Sequence, residues 1–216
     1  MKNNKTIAVI GDIHGCYKQL LDLYKKIKLH TDEVYSVGDL IDRGPNSKYI
    51  IQFCMDNNIK PVLGNHEDML IKAISSPISK RGFDNNSDKD LWLWNGGDKT
   101  VNSYLGSGSK SFKNFSKAFK DCGHLEFISG LPLKIELDNC IISHGGIIKE
   151  ENLESCLWNR DEPSMLDKIQ IIGHTPTPRI IQKHNHYINI DTGCAYTGTL
   201  SAVVLSEDKI EILTSK

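Results

Sequence analysis

The sequence of 216 residues has no apolar run that approaches the roughly 18 residues needed to cross a membrane. Near its start, an apolar run at residues 6–10 is followed at once by Gly11 and Asp12, so it is too short for the core of a secretion signal. We therefore expect no membrane partner and a cytoplasmic location.

The chain also has no CxxC pair among its six dispersed cysteines. Neither a thiolate zinc site nor a disulfide framework is therefore indicated, and in an unsecreted chain we expect the thiols to be reduced. Cys16 is expected to begin a helix and to have a structural role.

A third absence is an excess of charge of either sign. The 26 lysines and arginines stand against 27 aspartates and glutamates, for a net charge of -1. A broad basic surface is not indicated, so no stable nucleic-acid partner is expected. The composition, with 39% hydrophobic residues, is that of an ordinary globular protein, and the length predicts a single domain over residues 1–216.

The first third of the chain alternates short apolar runs with amphipathic segments. The apolar runs predict strands, and the segments with helical spacing predict helices. Three such units predict an α/β fold that begins with a mainly parallel sheet. The predicted strands are residues 6–10, 34–37 and 61–63, and the predicted helices are residues 17–28, 47–55 and 67–74.

The middle of the chain is expected to form a cap-like insertion at about residues 75–121. Residues 75–90 are polar and predict a surface loop, and residues 91–104 and 111–121 predict two helices. The second helix would bury a stripe of phenylalanines opposite lysines that are solvated or that dock an anionic partner. These residues are Phe112, Phe115 and Phe119, opposite Lys110, Lys113, Lys117 and Lys120.

The last third returns to short strands joined by turns, which predict a second, partly antiparallel sheet. The predicted strands are residues 134–137, 140–143, 169–172, 187–190, 200–205 and 210–213.

Five glycine-flanked polar clusters follow predicted strands. In an open α/β sheet, ligands bind at the carboxyl ends of the strands, so these clusters are expected to converge in one crevice. Four of the eight histidines lie in them. Taken alone, each cluster also fits an ordinary turn or a hydrogen-bonded buried polar residue, but coincidence explains five of them poorly. The clusters are GDIHG (11–15), GDLIDRG (38–44), GNHE (64–67), SHGG (143–146) and GHTP (173–176).

The side chains expected to converge form a mixed nitrogen and oxygen ligand set without a thiolate. Such a set suits manganese, iron, zinc or cobalt in a catalytic site. Six ligands are too many for one ion that keeps an open position, and they suit two ions that share a carboxylate. The candidate ligands are Asp12, His14, Asp39, Asn65, His144 and His174.

The five motifs, in this order, resemble the phosphoprotein phosphatase branch of the calcineurin-like metallophosphoesterases. The resemblance is to the short bacterial and phage members of the lambda-phosphatase type, and it runs from about residue 6 to residue 205. The segments WNGG (94–97) and DTGC (191–194) match as well. The family fold that this implies is a sandwich of two mixed β-sheets flanked by helices, with a helical cap from the middle of the chain.

The resemblance also implies a role for each candidate residue. Asp39 would bridge two divalent ions, with Asp12 and His14 on the first and Asn65, His144 and His174 on the second. Manganese is the expected ion, and iron and zinc also fit the ligand set.

In the same family pattern His66 is a general acid oriented by Asp42, and Arg43 binds phosphate oxygens. Arg160 is the best candidate for a second phosphate-binding arginine, with Arg179 as the alternative. Asn65 and His66 would also contact the substrate. A hydroxide that bridges the two ions would attack phosphorus in line, and no covalent enzyme intermediate is needed.

Three functions are open at the level of sequence. The favoured one, by chain length, is a serine/threonine protein phosphatase with broad activity on small phosphomonoesters. The second is a symmetrical bis(5'-nucleosyl)-tetraphosphatase, which would use a cap aromatic to stack a base, with Phe83, Trp92 and Trp94 as candidates. The third is a non-catalytic binding module. The oligomeric state is open, and a monomer is compatible with the sequence.

Overall fold

The computed structural model describes residues 5–76, 87–106, 111–148, 153–207 and 209–215. Within these ranges the strands form two sheets of five strands each. They are β1 (Ile7–Ile10), β2 (Val34–Ser36), β3 (Lys60–Pro61), β4 (Lys134–Glu136), β5 (Cys140–Ser143), β6 (Ile169–Ile172), β7 (Ile181–Lys183), β8 (Tyr187–Asn189), β9 (Ser201–Leu205) and β10 (Ile210–Thr214).

The first sheet has the order β10-β9-β1-β2-β3. Its β1–β2 and β2–β3 pairs are parallel, as the βα units predict, whereas β9 runs antiparallel to both β1 and β10. The sequence assigned β9 and β10 to the second sheet, and this was wrong. Strand order along the chain does not specify that β9 returns to pair with β1, on the side of β1 opposite to β2.

The second sheet has the order β4-β5-β6-β8-β7, with a parallel centre and an antiparallel pair at each edge. The mixed character expected of this sheet is therefore confirmed. The edge strand β7 was not predicted, because it has only three residues and all three are exposed, which is too short for an alternating pattern.

The two sheets pack face to face, and the alternation of residues along β1 shows how. Ile7 and Val9 lie in the core between the sheets, together with residues such as Ile171 of β6. Ala8 and Ile10, on the opposite face, pack against the helices. Successive side chains of a strand point to opposite faces, so one buried strand serves both cores.

Most of the helices cover the outer face of the first sheet, whereas the 3-10 turn at Leu153–Leu157 packs against β5 of the second sheet. The helical elements are α1 (Tyr17–Ile27), α2 (Ser47–Asp56), α3 (Asn65–Ser75), α4 (Ser87–Trp92), a π-helical turn (Leu93–Gly97), α5 (Asp98–Leu105), α6 (Phe112–Asp121), α7 (His124–Ser129), a 3-10 turn (Leu153–Leu157) and α8 (Cys194–Thr197).

The middle segment differs from its prediction in two places. The helix expected at 91–104 is broken at Gly96, whose φ of 101° is outside the helical region. The loop expected at 75–90 is already helical from Ser87, while residues 77–86 lie outside the described ranges. The apolar stripe of α6 is confirmed, because Phe115 and Phe119 are buried and Phe115 stacks on Trp92.

No helix in the described part of the chain combines the length and the apolar character that a membrane span requires.

Candidate metal centre and active site

The loops that follow the strands have unusual backbone conformations. Among the described residues, seven that are not glycine have a positive φ, and five of these belong to the predicted site. Such conformations are costly for residues with a Cβ and persist where the surrounding structure enforces them. The five are His14, Asp39, Asp42, Arg43 and His174.

Two of the motif glycines make room for carboxylates. A Cβ on Gly173 would lie 2.0 Å from Oδ1 of Asp12, and a Cβ on Gly64 would lie 2.3 Å from Oδ1 of Asp39. Neither distance is sterically possible, so any side chain at these positions would displace the carboxylate. The GHTP and GNHE motifs therefore need glycine to bring the polar groups together.

Asp39 lies at the centre of the cluster. Its Oδ2 is 3.3 Å from Nε2 of His14 and 3.9 Å from Nε2 of His66, and its Oδ1 is 3.5 Å from Nε2 of His144. Two groups of potential metal ligands share it: one with His14 and His66, the other with Asp12 and His144. Within each group the ligand atoms lie within 4.8 Å of one another.

The hydrogen bonds of His144 determine which of its ring nitrogens is free. Its Nδ1 lies 2.8 Å from the carbonyl oxygen of Val37, so this nitrogen carries the proton and donates it. The Nε2 lone pair then faces Oδ1 of Asn65 at 2.8 Å and Nδ1 of His174 at 3.1 Å. With the proton of His174 on its Nε2, these are three acceptor atoms that face one another, which is an arrangement that a cation would stabilise.

His14 shows the same pattern on the other side of Asp39. Its Nδ1 lies 2.8 Å from the carbonyl oxygen of Ile41 and donates to it, so the lone pair is on Nε2, where it accepts a hydrogen bond from Nη1 of Arg43. Burial lowers the pKa of His14 and that of His174 to about 3, and it also lowers the pKa of His144. All three imidazoles are therefore neutral near pH 7, which is the form that binds metal.

Buried aspartates lie beside these neutral rings, and ionising them together is costly. Burial, together with the charges of Asp191 and Asp39, raises the pKa of Asp12 well above its ordinary value. Buried carboxylates that repel one another in this way gain stability from a positive ion. The donor set and its charge therefore fit the pair of divalent ions expected from the sequence.

His66 is held by a different set of contacts. Its Nδ1 is 2.7 Å from Oδ2 of Asp42, and both side chains are fully buried. Burial by itself would lower the pKa of His66, but the charges of Asp39 and Asp42 outweigh it and raise that pKa. The Nε2 atom has no hydrogen-bond partner among the described residues, so it is available to a ligand.

Two residues of the middle segment fix Asp42. Trp92 donates from Nε1 to Oδ2 of Asp42 over 2.9 Å, and Thr100 donates from Oγ1 to Oδ1 over 2.6 Å. The sequence had named Trp92 as a candidate for base stacking, but its side chain is buried and cannot reach a ligand in solution. The WNGG segment that matched the family lies between these two donors.

Glu67 is a positioning residue that the sequence reasoning did not single out. Its buried carboxylate accepts hydrogen bonds from the backbone N–H groups of Asp39 and Leu40, each over 2.9 Å, and from those of Ile41 and Gly64, each over 3.2 Å. It therefore joins the GNHE turn to the GDLIDRG loop. The only signal was its place at the end of the GNHE motif.

The arginines lie at the rim. Nη1 of Arg43 is 2.6 Å from Nε2 of His14, and its guanidinium lies 5.5 Å from the ring centre of the exposed Tyr196. Arg160 is exposed, and its charge contributes to lowering the pKa of His174. Arg179 is exposed, and within the described part of the chain it forms no hydrogen bond or ion pair with the candidate ligands.

The sequence as a whole matches the family model for calcineurin-like phosphoesterases over residues 5–203. The chain belongs to this family. Its resemblance to the family is therefore confirmed, as is the expected fold of two mixed sheets with flanking helices. Members of the family are metal-dependent phosphoric ester hydrolases with a dinuclear divalent metal centre, and the cluster around Asp39 fits such a centre.

Two curated relatives match nearly the whole of this calcineurin-like phosphoesterase. Serine/threonine-protein phosphatase 1 of Salmonella typhimurium is 30% identical, over 93% of this chain and 92% of its own length. The asymmetrical bis(5'-nucleosyl)-tetraphosphatase PrpE of a Geobacillus species is 29% identical, over 91% and 89%. Among solved structures, the cold-active protein-tyrosine phosphatase of a psychrophilic Shewanella matches with a TM-score of 0.66 and 17% identity, over 99% of this chain and 81% of that one. The last similarity shows the shared fold.

Proposed function

We propose that this phosphoesterase removes phosphate from phosphoserine and phosphothreonine residues of proteins and from small alkyl phosphates. The observation that carries the proposal is the His66–Asp42 pair, in which the partnerless Nε2 of His66 lies 3.9 Å from Asp39. A serine or threonine alkoxide is a poor leaving group and needs a proton as it departs. A buried histidine with a raised pKa is suited to supply it.

The ligands proposed for the two ions are those expected from the sequence, with Asp39 shared between them. Divalent ions bound there would supply positive charge for the phosphate and would lower the pKa of a bound water towards about 7. Manganese is the ion we propose from the resemblance to the family, and iron and zinc also fit a set of oxygen and imidazole ligands without thiolate. The proposed ligands are Asp12, His14, Asp39, Asn65, His144 and His174.

The protein groups around the ligands would bind and orient the ester. Arg43 and Arg160 each carry a planar fork that can contact two phosphate oxygens at once. The Nε2–H of His66 would face the ester oxygen, and Asp42 would stabilise the imidazolium before the proton is passed on. Asn65, which is adjacent to His66, would help to position the phosphate.

Chain length does not distinguish the two substrate classes named by the relatives. The Salmonella phosphatase is covered over 92% of its length and the Geobacillus tetraphosphatase over 89%. The preference for the phosphoprotein substrate rests on chemistry instead. When a phosphoanhydride bond is cleaved, the leaving group is a stable nucleotide anion. Its departure therefore depends less on a proton from His66.

Hydrolysis of a dinucleoside tetraphosphate is the second candidate, and the side chain of Trp94 favours it. This ring is 93% exposed, and it lies two residues before Gly96, whose carbonyl oxygen accepts a hydrogen bond from the backbone N–H of Arg43. An exposed aromatic ring near the phosphate site could stack on a base. Phe83, the other candidate for stacking, lies outside the described residues.

A side-by-side assay in excess Mn²⁺ separates the two candidates. We expect kcat/KM on a phosphothreonine peptide to exceed that on diadenosine tetraphosphate by at least about tenfold, a difference of about 1.4 kcal/mol between the transition states. The opposite ratio would overturn the phosphoprotein assignment, and a selective loss of tetraphosphate hydrolysis in Trp94→Ala would then support base stacking. Asp39→Asn should lose both activities, which excludes a contaminating enzyme.

The remaining proposals concern organisation and surroundings. We propose one domain over residues 1–216 with the cap at 75–121, in which the contacts of Trp92 and Thr100 with Asp42 link the cap to the site. We also propose that the protein acts as a monomer in the cytoplasm on a phosphoester substrate. The near-neutral charge supports the expectation that it has no stable nucleic-acid partner.

A further inference from the structure

Two cysteines meet beside the metal centre although they are far apart in the sequence. Cys16 immediately precedes α1, two residues after His14, and Cys194 begins α8, three residues after Asp191. Their thiols are close enough to hydrogen bond to each other. Cys194 is buried in the core beneath the helices, whereas Cys16 is part-buried and packs against that core.

We propose that Cys16 and Cys194 are a redox-modification site, at which a peroxide forms a reversible disulfide that lowers the activity of the adjacent centre. The contact between the thiols supports the formation of a disulfide between them. The partial exposure of Cys16 gives the oxidant access, since a small peroxide can reach this sulfur from solvent. Cys54 and Cys140, by contrast, are fully buried.

The reaction balances with the peroxide as the only oxidant. The sulfur of Cys16 attacks one oxygen of hydrogen peroxide, the O–O bond breaks, and a sulfenic acid and one water result. The sulfur of Cys194 then attacks the sulfenic sulfur, forms the S–S bond and displaces the second water. The two sulfurs are oxidised by two electrons in total and the peroxide is reduced. A dithiol reverses the modification by exchange.

The surrounding geometry couples this bond to the site. The Cys16 thiol donates to the carbonyl oxygen of His14 over 3.6 Å, and disulfide formation removes that donor. The sulfurs must also approach to about 2.05 Å, which draws the start of α1 towards α8. The backbone between His14 and Cys16 is tightly packed, because a Cβ on Gly15 would lie 2.6 Å from the carbonyl oxygen of Gly44. The shift therefore reaches His14.

The direct test is a peptide map of the Mn²⁺-loaded wild-type protein, before and after hydrogen peroxide, under non-reducing conditions. We expect a crosslinked peptide pair that contains Cys16 and Cys194 and has lost two hydrogen atoms, and we expect dithiothreitol to release it. If the two residues remain unlinked when the protein is oxidised, the proposal is refuted. This readout does not depend on the identity of the substrate.

The coupling to activity is tested with Cys16→Ser, whose hydroxyl can still donate to the His14 carbonyl, and with Cys122→Ser, another part-buried cysteine, as the matched control. Oxidation should lower kcat on p-nitrophenyl phosphate by at least about tenfold in the wild type and in the control, since small displacements of catalytic groups are costly. Dithiothreitol should restore it, and Cys16→Ser should resist. A crosslinked wild type with unchanged kcat, or a Cys16→Ser variant that peroxide still inactivates, would refute the coupling.

Discussion

Nδ1 of His66 lies 2.7 Å from Oδ2 of Asp42, and neither side chain has access to solvent. Asp42 also accepts hydrogen bonds from Trp92 and Thr100, so its carboxylate has a fixed orientation. The other nitrogen of His66 is directed away from this network and has no partner among the described residues. The imidazole is therefore held with one nitrogen on a carboxylate, and within the described ranges its other nitrogen is buried without a hydrogen-bond partner.

The first prediction concerns His66 itself. The variant His66→Asn should lose about 10²- to 10⁴-fold in kcat on a phosphoserine peptide, because the alkoxide then leaves without a proton donor. The loss should be much smaller on p-nitrophenyl phosphate, whose leaving group is a stable anion. Steady-state kinetics on the two substrates, with metal content measured by elemental analysis, provide the check. An equal loss on both substrates with both ions retained would remove His66 from the role of general acid.

The second prediction concerns the indole N–H that holds Asp42. Trp92→Phe keeps the ring in its stack on Phe115 but removes the donor, and kcat on the peptide should fall by about the tenfold that one lost charge-assisted hydrogen bond represents. Since the indole acts through His66, the same substitution in the His66→Asn background should have almost no further effect. Additive losses in the double variant would show that Trp92 acts elsewhere.

The third prediction uses the close approach of Gly173 to Asp12. Gly173→Ala would place a Cβ 2.0 Å from Oδ1 of Asp12, so the carboxylate must move and at least one metal ion should be lost. Gly130→Ala is the matched control, because its Cβ would meet nothing nearer than 3.5 Å. Elemental analysis of both variants after loading with Mn²⁺ is the measurement. Full metal content in Gly173→Ala would contradict the placement of Asp12 in the centre.

The parts of the site that could be predicted from the sequence are those that lie in glycine-flanked motifs at strand ends. Asp12, His14, Asp39, His144 and Asn65 converge as expected because parallel strands bring their carboxyl ends to one edge. The fold class could be predicted for the same reason, since each βα unit is a local pattern.

What could not be predicted depends on contacts between distant segments. The pairing of β9 with β1 is set by the packing of the whole sandwich. The role of Trp92 depends on a break at Gly96 that a helical pattern does not reveal. The contact of Cys16 with Cys194 joins two loops that have no shared local signal.

The fourth prediction concerns pH and stability, at a histidine that is not among the proposed metal ligands. His124 is buried, its Nδ1 contacts the Tyr104 hydroxyl, and its Nε2 lies 3.2 Å from Oε1 of Gln52. Burial, helped by the charge of Lys48, lowers the pKa of His124 to about 4. In the unfolded chain His124 binds a proton below about pH 6.5, whereas in the folded chain it does so only near pH 4. The free energy of unfolding therefore decreases as the pH falls from about 6.5 to about 4.

Between pH 7.5 and pH 5 we expect this histidine to remove about 1–2 kcal/mol from the free energy of unfolding. Urea unfolding at the two pH values, for the wild type and for His124→Gln, measures its share. The variant should lose less stability on acidification than the wild type, whereas His184→Gln, at an exposed position, should behave like the wild type. The same pH dependence in all three proteins would exclude His124 as the cause.

The central claim is that one carboxylate, Asp39, is shared by two metal ions, and elemental analysis tests it most directly. After loading with Mn²⁺ and removal of free metal, the wild type should retain two ions per chain, as should Asp138→Asn, an exposed control. Asp39→Asn should retain at most one ion and should have no measurable phosphatase activity. Two tightly bound ions in Asp39→Asn, or fewer than two in the wild type, would contradict the account.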